Sequence, residues 1–266
     1  MEYAVVYLGL FSLGPLFVGL ERWMPAVVLV RTRAALLVDG LYWVLTPLFT
    51  GTLSRGLVLG LVGALGFAVG HGLDGFAFLA RVQAAMPFAR MPWVAQFFLA
   101  LLISDAIGYG SHRLRHTRVL WNLHAVHHSA EELTALAAAR LHPLDEALDS
   151  TLMGVPVLLL GFPLEVFAVL GPFFVLHTLL LHANLRWSFG PLGAVFASPR
   201  FHRRHHAREL PAKNFGGVFA FFDVLLGTFE LPAQDVGVFG IVERDVPENL
   251  LRQLAYPFIR MLRSAR

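Results

Sequence analysis

The run His202-Arg203-Arg204-His205-His206 puts three imidazoles into five residues. The same His-x-x-His-His order occurs at His124-Ala125-Val126-His127-His128, and a pair stands at His112 and His116. On a helix, residues at i, i+3 and i+4 share one face. Each cluster therefore turns two or three imidazoles to one side. Neutral imidazole ligates Fe, Zn, Cu and Ni. One such ion takes about four to six ligands, and the eight clustered histidines exceed that. Two metal ions sharing a cavity fit the count better, each triplet supplying one wall. Without metal, gathering these rings would cost desolvation and, on protonation, mutual repulsion.

The remaining histidines divide. His71, alone between Gly70 and Gly72, reads as a bystander. Arg203 and Arg204, inside the third cluster, read as a solvated face or a lipid-headgroup contact. The absence of cysteine removes thiolate metal sites, Cys-attached haem and Cys nucleophiles. There is no His-Glu-x-x-His or Gly-x-Ser-x-Gly motif. A bis-histidine haem bundle would need isolated histidines on facing spans rather than adjacent doublets.

Such a site needs a scaffold, and composition says which kind. The chain has 266 residues, 56% hydrophobic and 15% charged, with a mean hydropathy of +0.63. A soluble domain carries about 25% charged residues, so an integral membrane protein is expected. The start, Met1-Glu2-Tyr3, lacks the basic region of a cleaved signal, so the first apolar run reads as a retained helix. Apolar runs at 3–20, 34–50 and 57–73 predict spans. A fourth begins near Trp93 and ends in the first histidine pair. Residues 151–183 are too long for one span and predict a hairpin turning near Gly161-Phe162-Pro163. This count puts the N-terminus, 51–56, 111–150 and everything after 183 on one face, and 21–33 opposite. That face then holds 16 of the 21 basic residues, which makes it cytoplasmic. The small basic excess, +3 in all, gives no nucleic-acid footprint. The C-terminal "NLLRQLAYPFIRMLRSAR" reads as a basic interfacial helix or an ordinary docking helix.

"HRLRH" (112–116), "HAVHH" (124–128) and "HRRHH" (202–206) form an ordered set of three histidine boxes. With Asp105, "RLHP" (140–143), "HAN" (182–184), "SPRFH" (198–202), "KNFGG" (213–217) and "FFDVLLGTF" (221–229), the chain resembles the sterol desaturase/fatty acid hydroxylase superfamily of membrane di-iron oxygenases over roughly residues 100–230. The resemblance implies an all-α polytopic membrane helix bundle with a cytoplasmic-facing, histidine-rich helical cap. It divides the chain into N-terminal membrane helices (1–95), a catalytic core (96–230) and a C-terminal interfacial segment (231–266). Two iron ions, replaceable by zinc, would be held by His112, His116, His124, His127, His128, His202, His205 and His206. His182 in "HAN" is the ninth ligand so implied, with His142 and His177 as further candidates. Asp105, Asn214 and Asp223 are candidates for orienting the ligands from behind.

The implied activity is O2-dependent hydroxylation or desaturation of an unactivated C–H bond in a lipid: fatty acyl, sterol, carotenoid or ether lipid. No separate acid or base is assigned. The chain shows no flavin, haem or iron–sulfur motif, so an external donor of cytochrome or ferredoxin type is expected. The hairpin 151–183 and the helix around Phe97–Ile107 would line a lipid entry. Two rivals stand beside this reading: a zinc-dependent membrane lipid hydrolase and a His-rich transition-metal transporter.

Overall fold

The structure is a computed structural model describing residues 2–30, 32–208, 211–243 and 245–264. The described residues form helices and loops, with two isolated β-bridges and no strand. In chain order the α-helices are α1 (Glu2–Trp23), α2 (Arg33–Leu45), α3 (Gly51–Ala68), α4 (Gly75–Ala85), α5 (Trp93–Arg115), α6 (Trp121–His128), α7 (Pro143–Leu159), α8 (Leu164–His182), α9 (Pro199–His205), α10 (Phe221–Leu225) and α11 (Leu250–Ser264). Among the described residues, three helical stretches are long and apolar enough to cross a membrane: Arg33–Ala68, Trp93–Arg115 and Leu164–His182. The expected all-α architecture is what forms, and the chain is a membrane protein.

α5 is the central post. Its Ala100 and Leu101 pack with Val157, Phe162, Val166, Leu170 and Val218, so the arms of the α7–α8 hairpin close around it. The hairpin turns at Leu160–Pro163, where Gly161 takes φ +82°. That left-handed conformation favours glycine. A side chain there would also strike Met86 Cβ at 2.7 Å. The stretch Phe97–Ile107 supplies Phe97, Leu99, Ile103 and Ile107 to this core.

The runs 34–50 and 57–73 are not two spans. Residues 33–68 are one continuous helical stretch of 36 residues. Pro47 lacks the N–H of a regular turn, and the helix absorbs it with a π-turn over Thr46–Thr50, in which Gly51 N–H reaches back to the Thr46 carbonyl. Asp39 does not end the helix either, because the Arg140 guanidinium meets it at 2.6 Å with both side chains buried. Residues 51–56 therefore lie within a helix and are not a loop on the histidine face.

The segment after α1 is on the histidine side, not opposite it. Ala26 N–H donates to the Asn184 carbonyl at 3.1 Å, Pro25 bridges to Leu185, and Thr32 N–H donates to Glu132. Asn184 of "HAN" also clasps Val27 through both side-chain atoms. Glu21 accepts from the N–H groups of Ala135 and Asn184. Buried polar groups from three distant segments thus satisfy one another, which pins this loop to the cap. Arg31, Arg244 and Arg266 of the basic count lie outside the described residues. α11 docks, with Gln253 and Tyr256 buried against the α2–α6 side, while Leu251, Phe258 and Leu262 stay exposed.

At the opposite end, α4 folds back over α3 through small residues. A Cβ on Gly63 would lie 2.6 Å from the Leu73 carbonyl oxygen, and one on Gly75 would lie 3.1 Å from that of Leu59. Such close backbone approach is what small residues permit between membrane helices. Gly63→Val should therefore lower stability by about 1–3 kcal/mol, the usual cost of overpacking. Heating the detergent-solubilised protein and measuring what stays monodisperse checks this. Gly60→Val, on the same helix with nothing within 4 Å, should behave as wild type, and equal losses in both would show that the close approach does not matter.

Candidate metal centre

Four helix ends converge on one side of the bundle. The last turn of α5 brings His112 and His116; α6 brings His124, His127 and His128; α8 ends at His182; α9 brings His202 and His205, with His206 at its C-cap. The nine imidazoles fall into two adjoining groups, His112/His116/His124/His128/His205 and His127/His182/His202/His206, whose facing atoms lie within 4.8 Å of one another. The triplets are not one wall each. Residues at i+3 and i+4 diverge by about 100° around a helix, so each doublet splits. His124 and His128 face the first group while His127 faces the second. His202 and His206 face the second while His205 returns to the first. The two groups touch where His128 stacks on His206, ring centroids 4.3 Å apart.

Ring orientation sets the chemistry. Nδ1–H of His112 donates to the Phe215 carbonyl at 2.9 Å, that of His124 to Asp145 at 2.8 Å and that of His127 to the Arg140 carbonyl at 3.2 Å. His182 donates to the Thr178 carbonyl at 2.8 Å and His205 to the Lys213 carbonyl at 2.7 Å. In each of these rings the other nitrogen, Nε2, carries a lone pair and no proton. Yet His182 Nε2 is 3.1 Å from His127 Nε2 and 3.1 Å from His202 Nε2. His205 Nε2 is 3.2 Å from His116 Nε2 and 3.1 Å from His128 Nε2. Nε2 of His112 and of His124 is buried with no hydrogen-bond partner. For His127 and His182, whose Nδ1 atoms both donate to carbonyls, two bare lone pairs are aimed at one another and repel unless a cation lies between them.

Protons do not supply that cation. Burial, reinforced by His205 and Arg115, pushes His116 down to about 2. Burial pushes His205 down to about 3. Burial, with the neighbouring imidazoles, holds His124, His127, His128, His202 and His206 well below the usual histidine range. A divalent metal fits. Two ligands about 2.0–2.1 Å from one ion stand roughly 2.9–3.4 Å apart for octahedral to tetrahedral angles, which brackets the observed nitrogen pairs. Either group offers enough nitrogens for one ion.

The three polar residues expected behind the rings act one step further out. Asp105 accepts from Val218 N–H at 2.8 Å and Phe219 N–H at 2.7 Å. Asp223 accepts from the N–H groups of Phe215 and Gly216 and from the Thr228 hydroxyl. Asn214, at φ 61°, ties the Phe201 carbonyl to the backbone of Glu230. None meets an imidazole. Together they clamp the loop 213–219, whose Lys213 and Phe215 carbonyls hold His205 and His112. This explains "KNFGG": a Cβ on Gly217 would lie 2.6 Å from Asp105 Oδ1, and one on Gly216 would lie 2.9 Å from Asp223 Oδ2.

His142 and His177 join neither group. His142 caps α7, accepting from Leu144 N–H and donating to the Leu254 carbonyl. His177 donates to the Gly217 carbonyl at 3.1 Å. It also lines a cleft of about 340 Å³ between α1 and α8, with Phe17, Leu20, Leu176 and Leu180. His71 sits exposed at the far turn, against Arg81. Arg203 and Arg204 are not a solvated face. Both are buried, Arg204 gripping Glu230 through two nitrogens and Arg203 donating to Asp235 and the Leu185 carbonyl. A buried guanidinium is tolerable only with such partners. Asp145 was not foreseen. Burial pushes its carboxyl up to about 7 while Arg115 holds it down, and a cation on the far side of His124 would favour its ionised form further. The available signal was the acidic start of α7, Asp145, Glu146 and Asp149, ahead of an apolar run.

Gly217→Ala should displace the Asp105 carboxylate, loosen the loop and lower retained metal about tenfold, as loss of an orienting partner does. Elemental analysis after gel filtration reads this. Gly110→Ala, on α5 with nothing within 4 Å, is the matched control, and unchanged metal in both would show that the clamp does not position His112 and His205.

The comparisons with known proteins fall on this region. Residues 97–228 match the family model described as fatty acid hydroxylase. Ornithine lipid hydroxylase OlsE of Rhizobium tropici is 38% identical over 178 residues, covering 64% of this chain and 53% of its own. Alkylglycerol monooxygenase of Caenorhabditis elegans is 31% identical over 178 residues, 64% of this chain and 34% of its own. A Delta(7)-sterol 5(6)-desaturase of Gibberella zeae is 32% identical over 142 residues, 52% and 39%. The chain thus spans about half the length of the first of these relatives and about a third of the others. No solved structure matches.

Proposed function

We propose, from the match of residues 97–228 to the fatty acid hydroxylase model, that the chain is a di-iron oxygenase that hydroxylates or desaturates a membrane lipid. One observation carries the reading: nine imidazoles in two adjoining groups, with Nε2 atoms 3.1–3.2 Å apart and both Nε2 atoms of the His127–His182 pair unprotonated. His112, His116, His124, His128 and His205 would hold one iron, and His127, His182, His202 and His206 the other. When bound, the pair supplies activation of O2 toward an unactivated C–H bond. The protein's own part is to hold nine rings neutral, to fix their tautomers through carbonyls and Asp145, and to bury them away from bulk water.

Relatives named for ornithine lipid, alkylglycerol and sterol oxidation support a lipid substrate. Both reaction outcomes start from abstraction of the same hydrogen. Electrons come from an external carrier of cytochrome or ferredoxin type. A metal transporter would spread its ligands along several spans, whereas all nine gather at helix ends. The described basic residues of the connecting segments at the far end are Arg81 and Arg90, and the histidine side holds most of the others. By the positive-inside rule the cap faces the cytoplasm of a multi-pass protein.

Replacing His127, His182 or His205 by Ala should cut activity by more than about 100-fold, beyond the loss typical of an outer partner, with metal lost alongside. His71→Ala should be silent. Labelled O2 should appear on an alcohol product; a desaturated product carries none but still requires O2. Turnover without O2 or reductant, its oxygen drawn from water, would replace this reading by the zinc hydrolase.

A further inference from the structure

The two histidine groups differ behind their rings. In the five-histidine group, His124 donates to a carboxylate, Asp145 Oδ2 at 2.8 Å, and His112 and His205 donate to carbonyls. In the four-histidine group, His127 and His182 donate only to carbonyls. There, Nδ1 of His202 and of His206 is buried with no partner at all. Asp145, on the first turn of α7, is fully buried. Arg115 lies 3.6 Å from it, but the same guanidinium is 3.0 Å from Asp149. Two carboxylates share one cation, so net negative charge remains behind His124. On the other side, the guanidinium of Arg140, whose carbonyl holds His127, is neutralised by Asp39. That pair adds no net charge.

A divalent ion in either group enters a buried shell of neutral imidazoles. Its charge is best compensated where an anion stands behind a ligand, because a carboxylate accepting from a ligating ring raises the ring's basicity and fixes its tautomer. Ligand number and charge favour the same group. Resting on the two-metal reading above, we infer that Asp145 is a positioning residue that makes the groups hold metal unequally. The five-histidine group fills first and empties last. The four-histidine group, with no carboxylate behind any of its rings, is the exchangeable position.

The test uses full-length protein loaded with zinc ions as the probe. Excess chelator should remove metal in two phases of one equivalent each, separated by at least about tenfold in rate. Asp145→Asn should speed the slow phase by roughly 10–100-fold and leave the fast phase unchanged, with Asp145→Glu restoring part of the difference. A structural collapse would speed both phases together. X-ray absorption of wild-type protein carrying a single equivalent gives an answer that no variant's folding can spoil. It should report the five nitrogen neighbours of the larger group. A single release phase in wild type, an effect of Asp145→Asn on the fast phase, or four nitrogens around the first equivalent would each overturn the inference while leaving the two-metal reading intact. A total below two equivalents would defeat that reading as well, and it shows in the stoichiometry before any rate is compared.

Discussion

The fold of the histidine side depends on one electrostatic constraint. The unprotonated Nε2 atoms of His127 and His182 face each other at 3.1 Å in a buried volume, among further Nε2 contacts of 3.1–3.2 Å. Nothing in the polypeptide neutralises that repulsion, because burial and mutual proximity keep the rings from protonating. The rest of the cap therefore reads as restraint. Carbonyls of Arg140, Thr178, Lys213 and Phe215 hold rings from behind. Asp105, Asp223 and Asn214 hold the loop that carries two of those carbonyls.

The membrane helices serve the same end. α5 ends in two of the histidines, α8 ends in a third, and α7 starts with the carboxylate that orients a fourth. The long α2–α3 stretch contributes Asp39, which fixes Arg140 and through it His127. A polar residue inside a span is costly unless it is partnered. Here the partner belongs to the cap, so the ion pair fastens the two layers together.

Local spacing made much of this legible before any coordinates. The i, i+3, i+4 patterns give helix-borne clusters, and their count gives two groups. The hairpin turn at Gly161 follows from length and from Gly-Phe-Pro. What spacing could not show was how each triplet divides, since that depends on where α6 and α9 cross. It also missed the continuity of residues 33–68. Proline and aspartate are ordinary stop signals, and both were overridden by partners far away or by a π-turn. The burial of Arg203 and Arg204 was hidden for a similar reason. Their carboxylates, Asp235 and Glu230, lie some thirty residues downstream. The orienting partners of the rings were mostly invisible because four of the five are backbone carbonyls, which have no signature in residue type.

The crossing of the boxes has a consequence for biosynthesis. α6 and α9 each feed both groups, so neither group is complete before α9 has been made. A ribosome that has released the first two boxes has made four of the five histidines of the larger group but only His127 of the other, and both are closed by residues of α9 and its C-cap. Their restraints arrive later still, with Lys213, Phe215 and Asp223. The four-histidine group, of which only His127 precedes α8, is thereby completed only after the last span is inserted.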